Sequence, residues 1–372
     1  AEVSTICGQQ LRRGARLLQE LNRCAFARLR GAGSLHLLLE ELAYVNGDWF
    51  EEVLCGETMA ACQRLVDQVT FANVLQFSFF LMKANHRSVS LLDRIASVTL
   101  QNIDKIHPLE IYFILQLFSI LNYDPPAPEE FFENCIQHLI SNLSCFETHH
   151  LVLLGHVLAV AGYFPPVLIK MIFNVPFLSK LDAELEVLPD TSKQKVRLCL
   201  MKLNRAVCLE CPEFHIPWFH ERYCQHVFSL RRHVHKMLAE ILGGSHYTKI
   251  SVLTPYCYEI DFECILDENK KPLSYMAQNI LLGDTEGMHS KHDIKDMALP
   301  PGAQRIALEF LDAKDFSKDS HHLKGESAVK KRHLEMLGYR VVQIPHFEWN
   351  SMVLSTKEAQ LEYLKKQLYE TQ

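Results

Sequence analysis

Tyr256-Cys-Tyr-Glu-Ile-Asp-Phe-Glu-Cys-Ile-Leu266, preceded by Lys249-Ile-Ser-Val-Leu-Thr254, is where the chain changes its period. From about Phe71 to Phe177 the apolar residues recur at helical intervals. These two stretches are instead rich in β-branched and aromatic side chains and read as strands, with Asp267-Glu-Asn269 as a turn. Gly243-Gly244 marks the boundary, because a helix capped by Ser229 can stop there without a Cβ clash. Downstream, the polar stretch 277–304 reads as a long insertion. Arg305-Ile-Ala-Leu-Glu-Phe-Leu311 is a third strand, Lys324 to Leu337 a helix closed by Gly338, and Arg340-Val-Val-Gln-Ile-Pro345 the last strand. A terminal helix covers about Thr356 to Tyr369. The predicted order is helix, several strands, helix, strand.

Upstream, Leu121-Asn-Tyr123-Asp-Pro125-Pro126 and Ala161-Gly-Tyr163-Phe-Pro165-Pro166 lie forty residues apart. Each closes an apolar helix that opens near Pro108 or Thr148, and the Pro pair is expected to stop one helix and seed the next. Forty residues is the length of a helix pair in an α-solenoid, which predicts a third unit over about 66–105. The alternative is an ordinary helical domain with a chance echo. The pattern breaks near Leu188-Pro-Asp190, a new helix runs from Lys193 to about Cys208, and 211–220 is a connector rich in Pro and aromatic residues.

The chain has 372 residues, 48% of them apolar, and a formal charge of −6 from 38 Lys+Arg against 44 Asp+Glu. That excludes a predominantly disordered chain and a simple basic nucleic-acid binder. The charge is unevenly placed. Residues 1–30 hold six Arg and two Glu, 31–150 hold five basic and fifteen acidic side chains, and 151–372 carry twenty-seven of each. Arg12, Arg16, Arg23 and Arg30 fall within about 40° of one another on a helix, either as a solvated face or as a contact for phosphate or an acidic partner. The twelve Cys, spread from Cys7 to Cys264, read as reduced thiols. The apolar runs 109–123 and 151–173 are too short or too interrupted to span a bilayer, so no membrane insertion is expected. The chain begins at Ala1 rather than Met, and the lack of a leader here carries no information about compartment.

An acid at Asp261, another in the next buried strand at Glu309, then a basic helix and a final strand, follow the order of a restriction-endonuclease-like core. Two carboxylates at facing strand positions can hold Mg²⁺ or Mn²⁺ and activate a water for phosphodiester hydrolysis. The third group usually stands two residues past the second acid. That position is Leu311, and Asp312, Lys314, Lys330 or Lys331 would have to replace it. The alternative is a pair of strand-end acids in a binding fold. Cys208-x-x-Cys211 with His215, His220, Cys224 and His226 offers zinc ligands in principle, but without a second matching pair it reads as buried thiols beside surface histidines.

Arg332-His-Leu-Glu-Met-Leu-Gly-Tyr-Arg-Val-Val-Gln-Ile-Pro-His-Phe-Glu-Trp-Asn-Ser-Met352 resembles a RAP domain. Asn204-Arg-Ala-Val-Cys-Leu-Glu-Cys-Pro-Glu-Phe-His-Ile-Pro-Trp218 resembles the region joining two FAST motifs. With Tyr163-Phe-Pro-Pro-Val-Leu-Ile-Lys170 they are similar to the FAST kinase domain-containing family, from about Ile106 onward. The resemblance implies a mitochondrial matrix protein acting on the stability, processing or translation of mitochondrial RNA. Taken with the repeat spacing and the change of period, the expected organisation is an N-terminal helical segment (1–65), solenoid-like helical repeats with the first FAST region (66–187), a helical second FAST region (188–245) and an α/β RAP domain of restriction-endonuclease-like fold (246–372). Many RAP domains carry Glu-x-Asp-Gly-Pro-x-His. Here Glu309-Phe-Leu-Asp-Ala-Lys-Asp315 places Leu311 and Asp315 at the Asp and His positions. No Gly-x-Gly-x-x-Gly loop or His-Arg-Asp triplet is present, and Asp261-Phe-Glu263 lacks the Gly of a metal-binding turn, so kinase chemistry is not expected.

The preferred reading is a single-stranded RNA-binding protein without catalysis and without a cofactor. Residues 200–250 hold seven basic and four acidic side chains plus six His. Arg231, Arg232 and Lys236 on one helix, with Lys324, Lys330, Lys331, Arg332 and Arg340 at the RAP helix, are the expected phosphate contacts. Trp218, Phe219, Tyr223, Tyr256, Tyr258 and Trp349 are candidate stacking faces. Residues 31–150, at net −10, would repel RNA and are assigned to protein partners. The runner-up is a metal-dependent endoribonuclease using Asp261 and Glu309 with Lys330 or Lys331, Mg²⁺ or Mn²⁺ being required only then.

Overall fold

The computed structural model describes residues 2–45, 47–220, 232–275, 299–318, 320–352 and 355–370, with side chains from residue 15 onward and Arg232 excepted. The chain divides into two compact units, residues 1–172 with 317–325, and residues 173–316 with 326–372. Among the described residues no helix is long and apolar enough to cross a membrane.

The first unit opens with α1 (Glu2–Arg30), α2 (Leu35–Leu42) and a π-helical turn at Trp49–Leu54. The arginine stripe on α1 is engaged with acids: Arg23 pairs with Glu20 at 2.8 Å and Arg30 with Glu57 at 2.5 Å. Arg16 is exposed, and Arg12 lies outside the described side chains.

Three helix pairs follow, each joined by one turn of 3₁₀ helix: α3 (Cys55–Arg64) and α4 (Val74–Ala84), α5 (Val89–Gln101) and α6 (Pro108–Leu121), α7 (Pro128–Ser141) and α8 (Thr148–Val160). The 3₁₀ turns start at Val66, Ile103 and Leu143, so the spacing is 37 and then 40 residues. The two predicted copies share the bonds of their 3₁₀ turns and of their helix C-termini. Asn102 and Asn142 turn back to the carbonyls of Val98 and His138 at 3.0 and 2.8 Å. Tyr123 N–H reaches Phe118 O at 3.0 Å, and Tyr163 N–H reaches Leu158 O at 2.8 Å. Those bonds close the helix C-termini in the way a left-handed residue permits, supplied by Asn122 at φ 48° and Gly162 at φ 85°. The Pro pairs act less uniformly than expected. Pro166 starts α9 (Pro166–Ile172), but in the other copy the helix begins at Pro128, past Pro125-Pro126. Phe118, Phe131, Phe132 and Tyr163 form a continuous aromatic seam with centroids 4.5–5.3 Å apart.

Residues 317–325, far along the chain, belong to this first unit. Asn85, at φ 49°, ends α4 and accepts the Lys318 N–H at 2.7 Å. Asn122, at the corresponding end of α6, bonds through its carbonyl to His322 Nε2 at 2.8 Å and through its amide to Leu323 O at 3.2 Å. The helix ends therefore seat a distant segment, a connection that local periodicity does not carry.

The second unit contains α10 (Val175–Val187), α11 (Asp190–Glu210), α12 (Arg232–Leu242) and a four-stranded mixed sheet in the order β1-β2-β3-β4. Strands β1 (Thr248–Leu253), β2 (Glu259–Leu266) and β3 (Gln304–Leu311) are antiparallel neighbours, and β4 (Tyr339–Pro345) runs parallel to β3. The parallel step needs a crossover, supplied by α13 (Gly325–Met336). Helices α14 (His346–Ser351), which the sequence reading did not separate, and α15 (Lys357–Tyr369) complete the unit. One core joins Val234, Met237 and Leu238 of α12 to Phe262, Ile306, Leu308 and Ile344 of the sheet and Leu364 and Leu368 of α15. A second cluster packs Leu334 of α13 with Tyr258, Ile260 and Ala307. The sheet is covered on both faces, which explains why residues 262–266 are buried in succession rather than alternately. Much of the predicted insertion, 276–298, lies outside the described residues.

Candidate functional site

Glu309 is 4% exposed near the end of β3. The β2–β3 ladder stops at Phe262 opposite Leu308. Beyond it, the Asp261 carboxylate accepts the Phe310 N–H at 2.7 Å, so a side chain takes over a bond that a backbone carbonyl would otherwise make. Lys330 projects from α13, forms an ion pair with Glu309, and donates to the Glu259 carbonyl at 2.6 Å. Asp261, Glu309 and Lys330 are thus gathered, and the group two residues past Glu309 is the buried Leu311. Burial pushes the Glu309 carboxyl up to about 7, opposed by the Lys330 cation and reinforced by the Asp261 charge. One oxygen of Glu309 is buried without a hydrogen-bond partner. Chemically this is a carboxyl that can hold or release a proton near neutrality, with an ammonium where a divalent cation would otherwise supply positive charge.

Beside it lies a buried polar network. Glu210, the last residue of α11, bonds Arg332 at 2.8 Å and His333 Nε2 at 2.6 Å, while His333 Nδ1 meets the Tyr258 hydroxyl at 2.7 Å. Burial disfavours the His333 cation despite the Glu210 charge, whereas hydrogen bonds from His333 and Arg332 outweigh burial at Glu210 and hold its carboxyl down. A neutral imidazole that donates from Nε2 to ionised Glu210 and accepts the Tyr258 O–H at Nδ1 satisfies every partner. Arg205 lies 3.6 Å from the Tyr258 ring centroid and donates to the carbonyls of Tyr256 and Cys257 at 3.2 and 3.4 Å. Sequence reasoning missed this network. Its one trace is Arg205 and Glu210 standing in an otherwise apolar helical stretch.

The expected phosphate contacts divide into two kinds. Lys330 and Arg332 are committed to Glu309 and Glu210, and Arg340 donates to the Leu368 carbonyl. Lys331 is exposed, 3.9 Å from Glu335 one turn on, and Lys236 is exposed on α12. Lys324 is half-buried and belongs to the first unit. Arg231, the Arg232 side chain and Tyr223 lie outside the described residues. Of the candidate stacking faces, Tyr258 is buried under Arg205 and Trp349 packs 5.3 Å from Phe310 in the core, but Phe219 is 42% exposed.

The Cys208–Cys211 segment is occupied internally. Cys208 donates to Ile216 O at 3.3 Å, His220 Nδ1 contacts Asn204 Oδ1 at 3.1 Å, and His215 Nδ1 contacts Glu213 O at 2.8 Å. Burial pushes both thiols up to about 11 and the His220 imidazole down to about 4. Cys224 and His226 lie outside the described residues. Among the described residues these groups do not gather as a metal-ligand set.

Comparison with known proteins accords with this architecture. Residues 111–182 match FAST kinase-like protein, subdomain 1; residues 197–274 match FAST kinase-like protein, subdomain 2; and residues 308–367 match the RAP domain. The chain is 51% identical over 364 residues to FAST kinase domain-containing protein 1, mitochondrial, of Xenopus tropicalis, covering 95% of this chain and 44% of that protein. It is 49% identical over 363 residues to the Homo sapiens protein of that name, covering 95% and 43%. To FAST kinase domain-containing protein 3, mitochondrial, of Homo sapiens it is 30% identical over 350 residues, covering 90% and 48%. The chain spans somewhat less than half the length of these relatives. It belongs to the FAST kinase domain-containing family, with both FAST subdomains followed by a RAP domain.

Proposed function

We propose that this chain binds single-stranded RNA in the mitochondrial matrix and acts there on the stability, processing or translation of transcripts by binding, not by cleavage. The observation that carries the reading is the RAP domain over 308–367 in a chain whose relatives are named mitochondrial. The geometry favours binding over catalysis because Glu309 is sealed against Lys330 and Leu311 fills the third catalytic position. Lys236, Lys331, Arg231 and Arg232 are the phosphate contacts, with Phe219 as a stacking face, and the acidic region 31–150 takes protein partners. Changing these four basic residues together to Ala is expected to weaken binding of an unstructured RNA at least tenfold and to reduce its salt dependence. Equal affinity in a fluorescence anisotropy titration would remove these residues from the interface.

The second reading, a metal-dependent endoribonuclease, is favoured by one arrangement. Asp261, Glu309 and Lys330 converge in a helix-β-β-β-helix-β unit with sheet order β1-β2-β3-β4, the layout expected of a restriction-endonuclease-like core. Asp261 and Glu309 would hold Mg²⁺ or Mn²⁺. Labelled RNA incubated with protein and either ion is expected to stay intact. Cleavage that disappears in both Asp261→Asn and Glu309→Gln would replace the binding reading with the nuclease.

A further inference from the structure

The turn that starts α8 differs from its counterpart one repeat earlier in a way that points to a ligand. In α6 the residue before the helix, His107, accepts the Leu109 N–H at 3.2 Å, and Glu110 bonds back to the His107 N–H, closing a capping box. In α8 the equivalent residue is Glu147, a carboxylate at a helix N-terminus, yet its side chain makes no capping bond. It turns instead to His149, with Oε2 3.5 Å from Nδ1. His149 and His150 take the half-buried positions held in α6 by Leu109 and Glu110, and their rings lie 4.1 Å apart at 37°. One ligand atom from each of Glu147, His149 and His150 falls within 4.8 Å of the others. Buried Thr148 and Leu151 anchor the backbone on either side of the two imidazoles.

We infer that Glu147, His149 and His150 form a binding site for a divalent transition-metal ion, with Zn²⁺ the best fit. Two imidazole nitrogens and one carboxylate oxygen are a borderline-soft donor set that suits Zn²⁺ over Mg²⁺ or Ca²⁺, both of which prefer all-oxygen shells. Three protein ligands leave a fourth position to water. Adjacent residues on a helix diverge by about 100°, yet the two rings of this pair, in the first turn of α8, lie 4.1 Å apart on the same side as Glu147. The site lies in the helical repeats and is independent of the RNA-binding reading.

The test is calorimetric titration of the metal-free full chain with Zn²⁺, repeated with Co²⁺ and read by absorption. The wild type is expected to bind about one equivalent at this site, and the Co²⁺ form to show visible ligand-field bands without thiolate charge transfer. His149→Ala and His150→Ala are each expected to weaken binding by about 10- to 100-fold, and Glu147→Gln by less. His149→Gln, with its fold checked by circular dichroism, separates loss of a ligand from loss of structure. Unchanged affinity in the histidine variants, a thiolate signature with Co²⁺, or no uptake by the wild type would each overturn the site.

Discussion

Lys330→Met is expected to destabilise the protein by about 3 kcal/mol at pH 8 and by much less at pH 5. Glu309 is buried, and Lys330 is the cation that makes its charge tolerable. With its folded-state pKa raised from 4.5 to about 7, Glu309 keeps its proton where the unfolded chain has lost it. Its contribution to stability therefore falls as pH rises from about 4.5 to about 7 and is flat outside that window. At pH 5 the carboxyl is largely protonated, and removing Lys330 strips little. At pH 8 it is ionised, and its partner is gone. In Glu309→Gln the pH slope is expected to lessen by about 3 kcal/mol across the window, since each unit is about 1.4 kcal/mol. Urea unfolding at the two pH values measures both effects. Equal destabilisation by Lys330→Met at pH 5 and pH 8 would contradict the buried pairing.

Gly325→Ala is expected to cost about 3 kcal/mol or to abolish folding. A Cβ on Gly325 would lie far inside van der Waals contact distance of the Ser119 carbonyl oxygen and 2.7 Å from Val160 Cγ1. Ser119 cannot easily give way, because it belongs to the backbone of α6 and its hydroxyl is also bonded to Val157 O at 2.8 Å. All these residues lie in the first unit, so the damage is expected in the transition that reports the helical pairs. Gly56→Ala is the control: nothing lies within 4 Å of its added Cβ, and Ala in a helix is favourable by about 0.5–1 kcal/mol. Matching melting temperatures for Gly325→Ala and the wild type would show that the close approach is absent.

The elements most legible in the sequence are those whose residues fix their own backbone. The two strands before 266, the stop at Gly243 and the helix closures at Asn122-Tyr123 and Gly162-Tyr163 rest on neighbours in sequence and stand where periodicity puts them, except that Tyr256-Cys257-Tyr258, read as strand, forms the turn between β1 and β2, closed by the Thr254 N–H to Tyr258 O bond at 2.8 Å. A third unit exists, but it spans residues 55–84 rather than about 66–105, because its 37-residue spacing carries no Tyr-x-Pro-Pro echo to fix its register. Long-range contacts were not legible. Nothing around Ser317–Gly325 signals that it seats on the ends of α4 and α6, because the partner carbonyls of Asn85 and Asn122 lie about two hundred residues earlier. The site was half legible. Asp261 and Glu309 follow from strand order, and Lys330 is one of several groups that the sequence offers beside them. The Arg332–Glu210 pair was not found, because a basic helix reads as a phosphate track until the acids facing it are known.

The central proposal is that a chain of net negative charge holds RNA through exposed basic side chains carried on α12 and α13. Its most direct test is the affinity of the intact chain for a labelled single-stranded RNA over a salt series from about 50 to 200 mM. With about four phosphate contacts on a single strand, log Kd is expected to rise with log salt at a slope of roughly 3. Absence of binding at the lowest salt, or an affinity indifferent to salt, would contradict it.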